Sequence, residues 1–209
     1  MILALDVSSS LGLLSLEVEP GRILSRVSLR PREHRRFLEK GLSDLQKESG
    51  RPWSELERVA LGIGPGSFTG LRVALATAKG LVFGRPTPIL PLSSLAIPVA
   101  ACESAPILIA RPARSREYWS AFFEPGASKP LFEQVRKEEE LEEWHRELLA
   151  DWPGLRLVNG KEPEAELQLQ ALARLARNPE GELSGYNRDR LLPRYHATAS
   201  VTRPKGEEA

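Results

Sequence analysis

A glycine-rich stretch in the middle of the chain predicts how the first half folds. It reads Gly64-Pro65-Gly66-Ser67-Phe68-Thr69-Gly70. An apolar segment at 59–63 precedes it, and the small-residue segment LRVALATAKG, residues 71–80, follows it. Glycine and proline fix a backbone path that few other residues allow, and Ser67 suits the N-cap of a helix. The stretch therefore predicts a strand at 59–63, a tight turn, and a helix at 68–83.

Charge and cysteine content limit the classes of function. The 209 residues include 29 basic and 28 acidic side chains, so the formal net charge is +1. A protein that binds nucleic acid unaided usually carries a basic excess, because phosphate neutralisation supplies most of its affinity. Cys102 is the single cysteine, which argues against a disulfide framework or a thiolate metal cluster.

The N-terminal segment MILALDVSSS is apolar but short, and no basic residues precede its apolar part. We interpret it as a first strand and not as a signal peptide. No run approaches the roughly 18 apolar residues that cross a bilayer. These features lead us to expect a cytoplasmic protein.

The order of predicted elements repeats. Strands at 2–7, 13–18 and 23–29 form a meander, followed by a helix at 33–49, the strand at 59–63, the helix at 68–83, a strand at 89–92 and a short helix at 95–102. Strands at 106–110, 118–123 and 131–135 open the second half, followed by a helix at 138–150, a strand at 155–158 and a helix at 165–177. Two halves that each open with a meander suggest a duplicated α/β fold of the actin-like, sugar-kinase-like (ribonuclease H-like) kind. We expect an N-terminal lobe at 1–103, a C-terminal lobe at 104–195 and a tail at 196–209.

Two motifs carry a resemblance to a known family. ILALDVSSS at the N-terminus and GPGSFTGLRVALATAKG in the middle are similar to the TsaB/YeaZ family of bacterial tRNA-modification proteins. The likeness is strong over about residues 1–105 and loose beyond them. Pro193-Arg194-Tyr195 matches a Pro-x-Tyr element of the family, whereas Pro112 stands where members usually have an acid.

The resemblance implies that the protein does not itself catalyse a reaction. Members are actin-like, inactive relatives of the catalytic subunit TsaD, which they bind through helices of the N-terminal lobe, and the ATPase TsaE joins the assembly. The expected role is a scaffold or dimerization subunit for synthesis of N6-threonylcarbamoyladenosine in tRNAs that read codons beginning with adenine. By this resemblance the chain would meet tRNA only through the complex, would form a homodimer when alone, and would have no membrane partner. Two other functions remain as alternatives: an actin-like protein that binds ATP or ADP, and a glycoprotease-like peptidase. ATP or ADP could also bind at a subunit boundary.

The candidates for a nucleotide or catalytic site are Asp6 and the glycine loop, with Gly64, Gly66 and Ser67. A carboxylate at the end of a first strand could face a nucleotide's magnesium, and N–H groups at a helix N-terminus could hold phosphate. No acid follows the strand at 106–110, where Arg111 and Pro112 stand instead. The loop lacks the lysine of a Walker A motif, the Rossmann glycine spacing and the G-x-S-x-G of a nucleophile elbow. We therefore expect no catalytic residue and no resident cofactor. The alternative to a nucleotide site at Asp6 is that this residue caps the serine turn that follows it.

A metal site is not expected. By the resemblance, the catalytic relative binds metal through two histidines spaced i, i+4 on a helix. In this chain His34 is followed at i+4 by Leu38, and His145 and His196 lack a ligand-like spacing.

The predicted interface lies on the first two long helices. Small residues on the second helix would allow a close approach by another helix, and the first helix carries an apolar stripe interrupted by Gly41. One face of these helices must cover the chain's own sheet. Because most of the circumference of the second helix is uncharged, and because the resemblance points the same way, we expect a second face that binds a partner. The predicted interface residues are His34, Leu38, Gly41, Leu42, Leu45, Leu71, Arg72, Leu75, Ala78 and Lys79.

Overall fold

The computed structural model describes residues 1–30, 33–102, 105–113, 116–160, 163–177 and 191–193. The first half contains β1 (Ile2–Asp6), β2 (Gly12–Glu19), β3 (Arg22–Ser28), α1 (His34–Ser49), β4 (Arg58–Gly62), α2 (Phe68–Leu81), β5 (Ile89–Leu92) and α3 (Ala96–Ala100), with a 3₁₀ turn at Trp53–Glu55. The second half contains β6 (Ile107–Pro112), β7 (Glu117–Phe123), β8 (Phe132–Lys137), α4 (Glu138–Asp151), β9 (Arg156–Asn159) and α5 (Ala165–Arg177). The predicted tail, together with Tyr195 and His196, lies outside the described residues.

The two sheets show the predicted duplication. The first has the strand order β3-β2-β1-β4-β5 and the second has β8-β7-β6-β9. In each sheet an antiparallel meander is extended by a parallel strand beside its first strand. The parallel pairing begins with Ile2 opposite Arg58 in the first sheet and with Ile107 opposite Arg156 in the second. Counting along β1 and β6 from these pairs, Asp6 and Arg111 occupy equivalent positions in the two halves.

The strands are apolar on both faces because helices cover both sides of the first sheet. Leu3 and Leu5 of β1 pack with residues of α1 and α2, whereas Ala4 packs on the opposite face with α3 and α5. The second sheet places Ile107 and Ile109 in that same central cluster and packs its other face against α4. The layers therefore run α1/α2, first sheet, α3/α5, second sheet, α4. The actin-like fold class predicted from the sequence is confirmed.

The last described helix ties the two halves together. α5 packs against β1, β2 and α3 of the first half, and Leu169 and Leu172 lie in the central cluster. The guanidinium of Arg177 donates to Glu17 Oε2 on β2 at 2.6 Å. Leu191 also packs into the cluster beneath α1 and α2. The second half thus contributes directly to the core of the first.

Element boundaries agree with the sequence prediction to within two residues, and one difference matters. The sequence placed Arg111 and Pro112 after a strand that ended at 110. They belong to β6, because pairing with β7 continues through Arg111 opposite Trp119 and Pro112 opposite Tyr118. The extra length carries Arg111 to the junction with the first half. Among the described residues, no helix is both long and apolar enough to cross a membrane.

Candidate functional site

The glycine loop is packed against the end of β1. A Cβ at Gly62 would overlap the carboxylate of Asp6, a Cβ at Gly66 would overlap the backbone of Ser8, and a Cβ at Gly70 would overlap the carbonyl of Val7. The Ser67 amide donates to the Ser8 carbonyl at 2.6 Å. Glycine is required here because two backbone segments approach each other closely.

Ser67 caps α2 as predicted. Its hydroxyl oxygen accepts a hydrogen bond from the Gly70 amide at 3.2 Å, which satisfies one of the donors left open at a helix N-terminus. Gly64 lies one turn before the helix, and its amide donates to Ser94 Oγ at 3.0 Å while its carbonyl accepts from the Ser94 amide at 2.9 Å. These contacts give the loop a structural role within the chain.

Asp6 is enclosed and fully hydrogen-bonded. It is 3% exposed. Ser8 Oγ donates to its Oδ2 at 2.8 Å, and Ser94 Oγ donates to its Oδ1 at 2.7 Å. Capping of the serine turn, the alternative interpretation of Asp6, agrees with the Ser8 contact. Ser94 was missed at the sequence level, because 88 residues separate it from Asp6 and a lone serine before a short helix gives no signal.

Arg111 completes this cluster from the other half. Its side chain is buried, at 8% exposed, and Nη1 donates to Ser8 Oγ at 3.2 Å and to the Pro65 carbonyl at 3.3 Å, while Nη2 donates to the Ser94 carbonyl at 3.4 Å. Burial raises the pKa of Asp6, and the charge of Arg111 with the hydrogen bonds from Ser94 and Ser8 opposes that rise. We call Asp6, Ser8, Ser94 and Arg111 the junction cluster. Within this cluster the Asp6 oxygens contact groups of the protein. A carboxylate that binds a metal would instead contact the cation or its water.

A cleft of about 1050 Å³ opens beside the junction cluster, between the two halves. Ser8, His34, Ser67 and Arg111 line it, and Trp119 forms part of the wall contributed by the second half. His34 is 8% exposed, and its Nδ1 has no hydrogen-bond partner within the described structure. Burial lowers the pKa of His34, which the negative charge of Asp6 partly counteracts. Among the described residues, no group of three or more His, Cys, Asp or Glu side chains is arranged to hold a metal ion.

Most of the predicted interface residues belong to the core of this chain, and this part of the prediction is corrected. Five apolar side chains of the two helices lie in the cluster between α1, α2 and the first sheet; they are Leu38, Leu42, Leu45, Leu75 and Ala78. Leu71 is also buried, at 1% exposed. Gly41 is buried because Leu14 of β2 lies where a Cβ would be. His34 faces the cleft. Hydrophobic periodicity shows which side of a helix is covered but not what covers it.

The outer side of α2 carries a different set of residues. Arg72 is exposed and lies over the Phe68 ring, with its guanidinium carbon 3.8 Å from the ring centroid, and Lys79 is partly exposed. The side chains that complete this face are small or apolar. We define the α2 outer face as Thr69, Arg72, Val73, Ala76, Thr77, Gly80 and Phe83, all exposed or half-buried.

Comparison with known proteins agrees with this architecture. The family described as "TsaD: tRNA N6-adenosine threonylcarbamoyltransferase" matches residues 24–128, half of the chain. Two curated relatives, each named "tRNA threonylcarbamoyladenosine biosynthesis protein TsaB", come from Escherichia coli and Haemophilus influenzae. They are 33% and 34% identical over 94 residues. The chain belongs to the TsaB/YeaZ family, within the wider TsaD-like group. The matched segment is 45% of this chain and 40% and 39% of those relatives.

Solved structures of TsaB/YeaZ proteins extend the likeness over almost the whole chain. YeaZ from Pseudomonas aeruginosa superimposes with a TM-score of 0.71 at 27% identity, covering 93% of this chain and 98% of that one. A Pseudomonas aeruginosa protein described as similar to peptidase YeaZ gives a TM-score of 0.72 at 26% identity, covering 94% and 99%. The family resemblance found in the N-terminal and glycine-loop motifs is confirmed, and both halves of the fold share it.

Proposed function

We propose that this protein is a non-catalytic scaffold subunit in the synthesis of N6-threonylcarbamoyladenosine in tRNA, and that it binds the catalytic subunit TsaD through the α2 outer face. The curated relatives carry the name of that pathway. In this proposal TsaE joins the complex and tRNA is contacted through the assembly. When TsaD is absent, the same face pairs two copies of the chain.

The observation that carries the proposal is the composition of the α2 outer face. Phe83 is 87% exposed, two residues beyond the end of α2, and Ala76 and Gly80 are exposed along the helix. Gly80 is informative because a Cβ there would meet nothing within 4 Å. Glycine inside a helix costs about 1 kcal/mol relative to alanine, and packing within this chain gives no reason for it. Close approach of a helix from a partner is a sufficient reason.

The junction cluster supports a non-catalytic role. The carboxylate of Asp6 is hydrogen-bonded on both oxygens by serines, and the equivalent position of the second half holds Arg111 instead of a second acid. The peptidase alternative has no support from Ser67, whose hydroxyl oxygen serves as the α2 cap. Calorimetry tests the nucleotide alternative. With ATP and magnesium it should show no micromolar binding to the isolated protein.

The docking test compares two exposed phenylalanines. Burying one phenylalanine at an interface contributes about 1.5–3 kcal/mol, so Phe83→Ala should weaken binding to TsaD by about 10- to 150-fold. Phe132→Ala is the matched control, because Phe132 is 54% exposed on β8, in the other half. Both variants should keep the wild-type free energy of unfolding within about 0.5 kcal/mol. Isothermal titration calorimetry against the TsaD of the same organism measures the affinities.

Gly80 gives a second, independent comparison. Gly80→Ala should stabilise the isolated chain by about 1 kcal/mol and retain most of the binding, whereas Gly80→Leu should block close helix approach. The proposal fails if Phe83→Ala and Gly80→Leu bind TsaD like the wild type, or if the wild type does not bind TsaD. Sedimentation with and without TsaD should show the partner replacing the homodimer.

A further inference from the structure

The region around α2 carries basic residues and no acidic ones. Residues 59–102 contain Arg72, Lys79 and Arg85 but neither aspartate nor glutamate, although a stretch of this length would hold about six acids at the chain's average of 28 in 209 residues. The strands β4 and β5 and the helix α3 are mostly buried, and burial disfavours charges of either sign. The exposed part is α2 with the loop that follows it. There the surface has bases, whereas acids are absent from its sequence.

On the other long helices, acids accompany the bases or outnumber them. On α1, Arg35 contacts Glu39 at 3.7 Å and Lys40 contacts Asp44 at 2.6 Å, both with i, i+4 spacing. The 14 residues of α4 include seven acids, and Glu166 lies in the first turn of α5. The 14 residues of α2 include no acid. Carboxylates that complement the bases of α2 therefore have to come from outside this helix.

Arg72 and Lys79 lie on the same side of α2. Seven residues separate them, which is close to two helical turns, so the two residues project within about 20° of each other around the helix axis. The guanidinium carbon of Arg72 lies 3.8 Å from the centroid of the Phe68 ring. This stacking restricts the plane of the guanidinium and leaves its charge in place, which suits bidentate recognition of a carboxylate. The two bases thus form a charged edge beside the small and apolar residues of the α2 outer face.

We propose that the protein partner of the α2 outer face presents carboxylates to Arg72 and Lys79, and that these charges favour this partner over a second copy of the chain. The inference rests on the proposed function, in which TsaD covers this face. In a symmetric pair of copies the same patch meets itself, so α2 brings only positive charge to both sides of the contact. Juxtaposed like charges weaken an interface, whereas complementary charges strengthen it and select the partner.

The rest of the face favours an acidic protein over tRNA as the occupant. Phe83 is 87% exposed, and a Cβ at Gly80 would meet nothing within 4 Å, so the face offers an apolar side chain and room for a helix. Phosphate groups use neither of these features. A protein that binds nucleic acid through its charge typically makes about six or more phosphate contacts, and α2 supplies two bases.

The dependence on salt tests the sign of the charges. The dissociation constants of the complex with TsaD of the same organism and of the homodimer are measured by sedimentation in about 0.1 M and about 1 M sodium chloride, between which the Debye length falls from about 10 Å to about 3 Å. Screening should weaken the complex and strengthen the homodimer. The ratio of the two constants should shift about tenfold toward the homodimer. A constant ratio, or a shift toward TsaD, would overturn the inference.

Charge variants locate the effect. Lys79→Glu should weaken binding to TsaD about tenfold and strengthen the homodimer, because the new carboxylate can pair with a base of the second copy. Lys129→Glu is the matched control, since it changes the net charge equally and Lys129 is exposed between β7 and β8. Arg72→Gln should weaken binding to TsaD about tenfold, because a charge-assisted hydrogen bond is lost. If Lys79→Glu does not fold, Arg72→Gln and the salt dependence decide.

The outcomes separate this inference from the proposed function. If the wild type binds TsaD but Lys79→Glu and Lys129→Glu have equal effects, the inference fails and the proposed function stands. If the wild type does not bind TsaD at either salt concentration, both fail. Fluorescently labelled tRNA is titrated with the isolated chain as a further measurement. Binding of tRNA that Arg72→Gln abolishes would assign the bases to nucleic acid and would also overturn the inference.

Discussion

Removing Arg111 should expose the energetic coupling between the two halves of the molecule. In Arg111→Met the side chain keeps its apolar bulk but loses the donors to Ser8 Oγ and to the carbonyls of Pro65 and Ser94. Asp6 stays buried without that compensating charge. Breaking a buried charge pair by removing one partner costs about 3–5 kcal/mol. We expect a loss of that size in the free energy of unfolding at pH 8.

The loss should depend on pH in a defined direction. Burial already raises the pKa of Asp6 in the folded protein above the value of 3.8 in the unfolded chain, and Arg111 opposes that rise. Without Arg111 the folded pKa rises further, so the folded state binds the proton more readily than the unfolded state. Stability is then fully retained below pH 3.8 and is lost as the pH rises through the folded pKa. The difference between wild type and Arg111→Met should therefore be smaller at pH 5 than at pH 8.

The assay is urea unfolding followed by tryptophan fluorescence, with Asp6→Asn and the double variant completing a cycle. Because Asn carries no charge, the double variant should be more stable than the sum of the single losses predicts, by about 1–3 kcal/mol. Additive losses, or a cost of Arg111→Met that is equal at pH 5 and pH 8, would refute the coupling between Asp6 and Arg111.

Two further predictions concern residues beside the same junction. His34→Gln should flatten the pH dependence of the free energy of unfolding below pH 6.5. Burial lowers the folded pKa of His34 from 6.5, so its contribution to the stability of the wild type is complete above pH 6.5 and is lost on acidification. The loss is at most about 1.4 kcal/mol per pH unit. Urea unfolding at pH 5.5 and pH 8 measures it, and an unchanged slope would contradict the reasoning. Gly62→Ala should destabilise the fold by about 2 kcal/mol or more, since its Cβ overlaps the Asp6 carboxylate. Gly80→Ala is the control, because Gly80 also lacks a positive φ and a Cβ there has open space; a Gly62→Ala variant as stable as the wild type would mean that the overlap with Asp6 is relieved without cost.

The architecture was readable from the sequence because its signals are local. Alternating and continuous apolar runs bounded by turn residues gave the strands, and Gly50, in the left-handed conformation with φ of 69°, ends α1 where the sequence placed its end. Ser67 was recognised as a cap because N-cap chemistry depends on residues within one turn. The duplication followed from the order of these local elements.

The location of a partner-binding surface could not be predicted in the same way. Leu38 and Leu75 recur with helical spacing, and that spacing is identical whether the stripe faces a sheet or a second chain. The distinction depends on where the first sheet lies, which is a long-range property. One usable signal existed in the rows of small residues that include Ala76 and Gly80, because those rows are exposed whereas the leucine rows are buried.

The junction cluster shows that an acidic residue identified in a sequence does not by itself indicate a binding site. Asp6 and Arg111 are 105 positions apart but occupy equivalent places in the two sheets, as the pairing of Ile2 with Arg58 and of Ile107 with Arg156 establishes. Acids at both places would leave excess negative charge between the halves, which a cation would have to balance. An acid facing a base leaves a neutral cluster that serines can complete. In this chain the base at position 111 places an opposite charge near Asp6 within the protein.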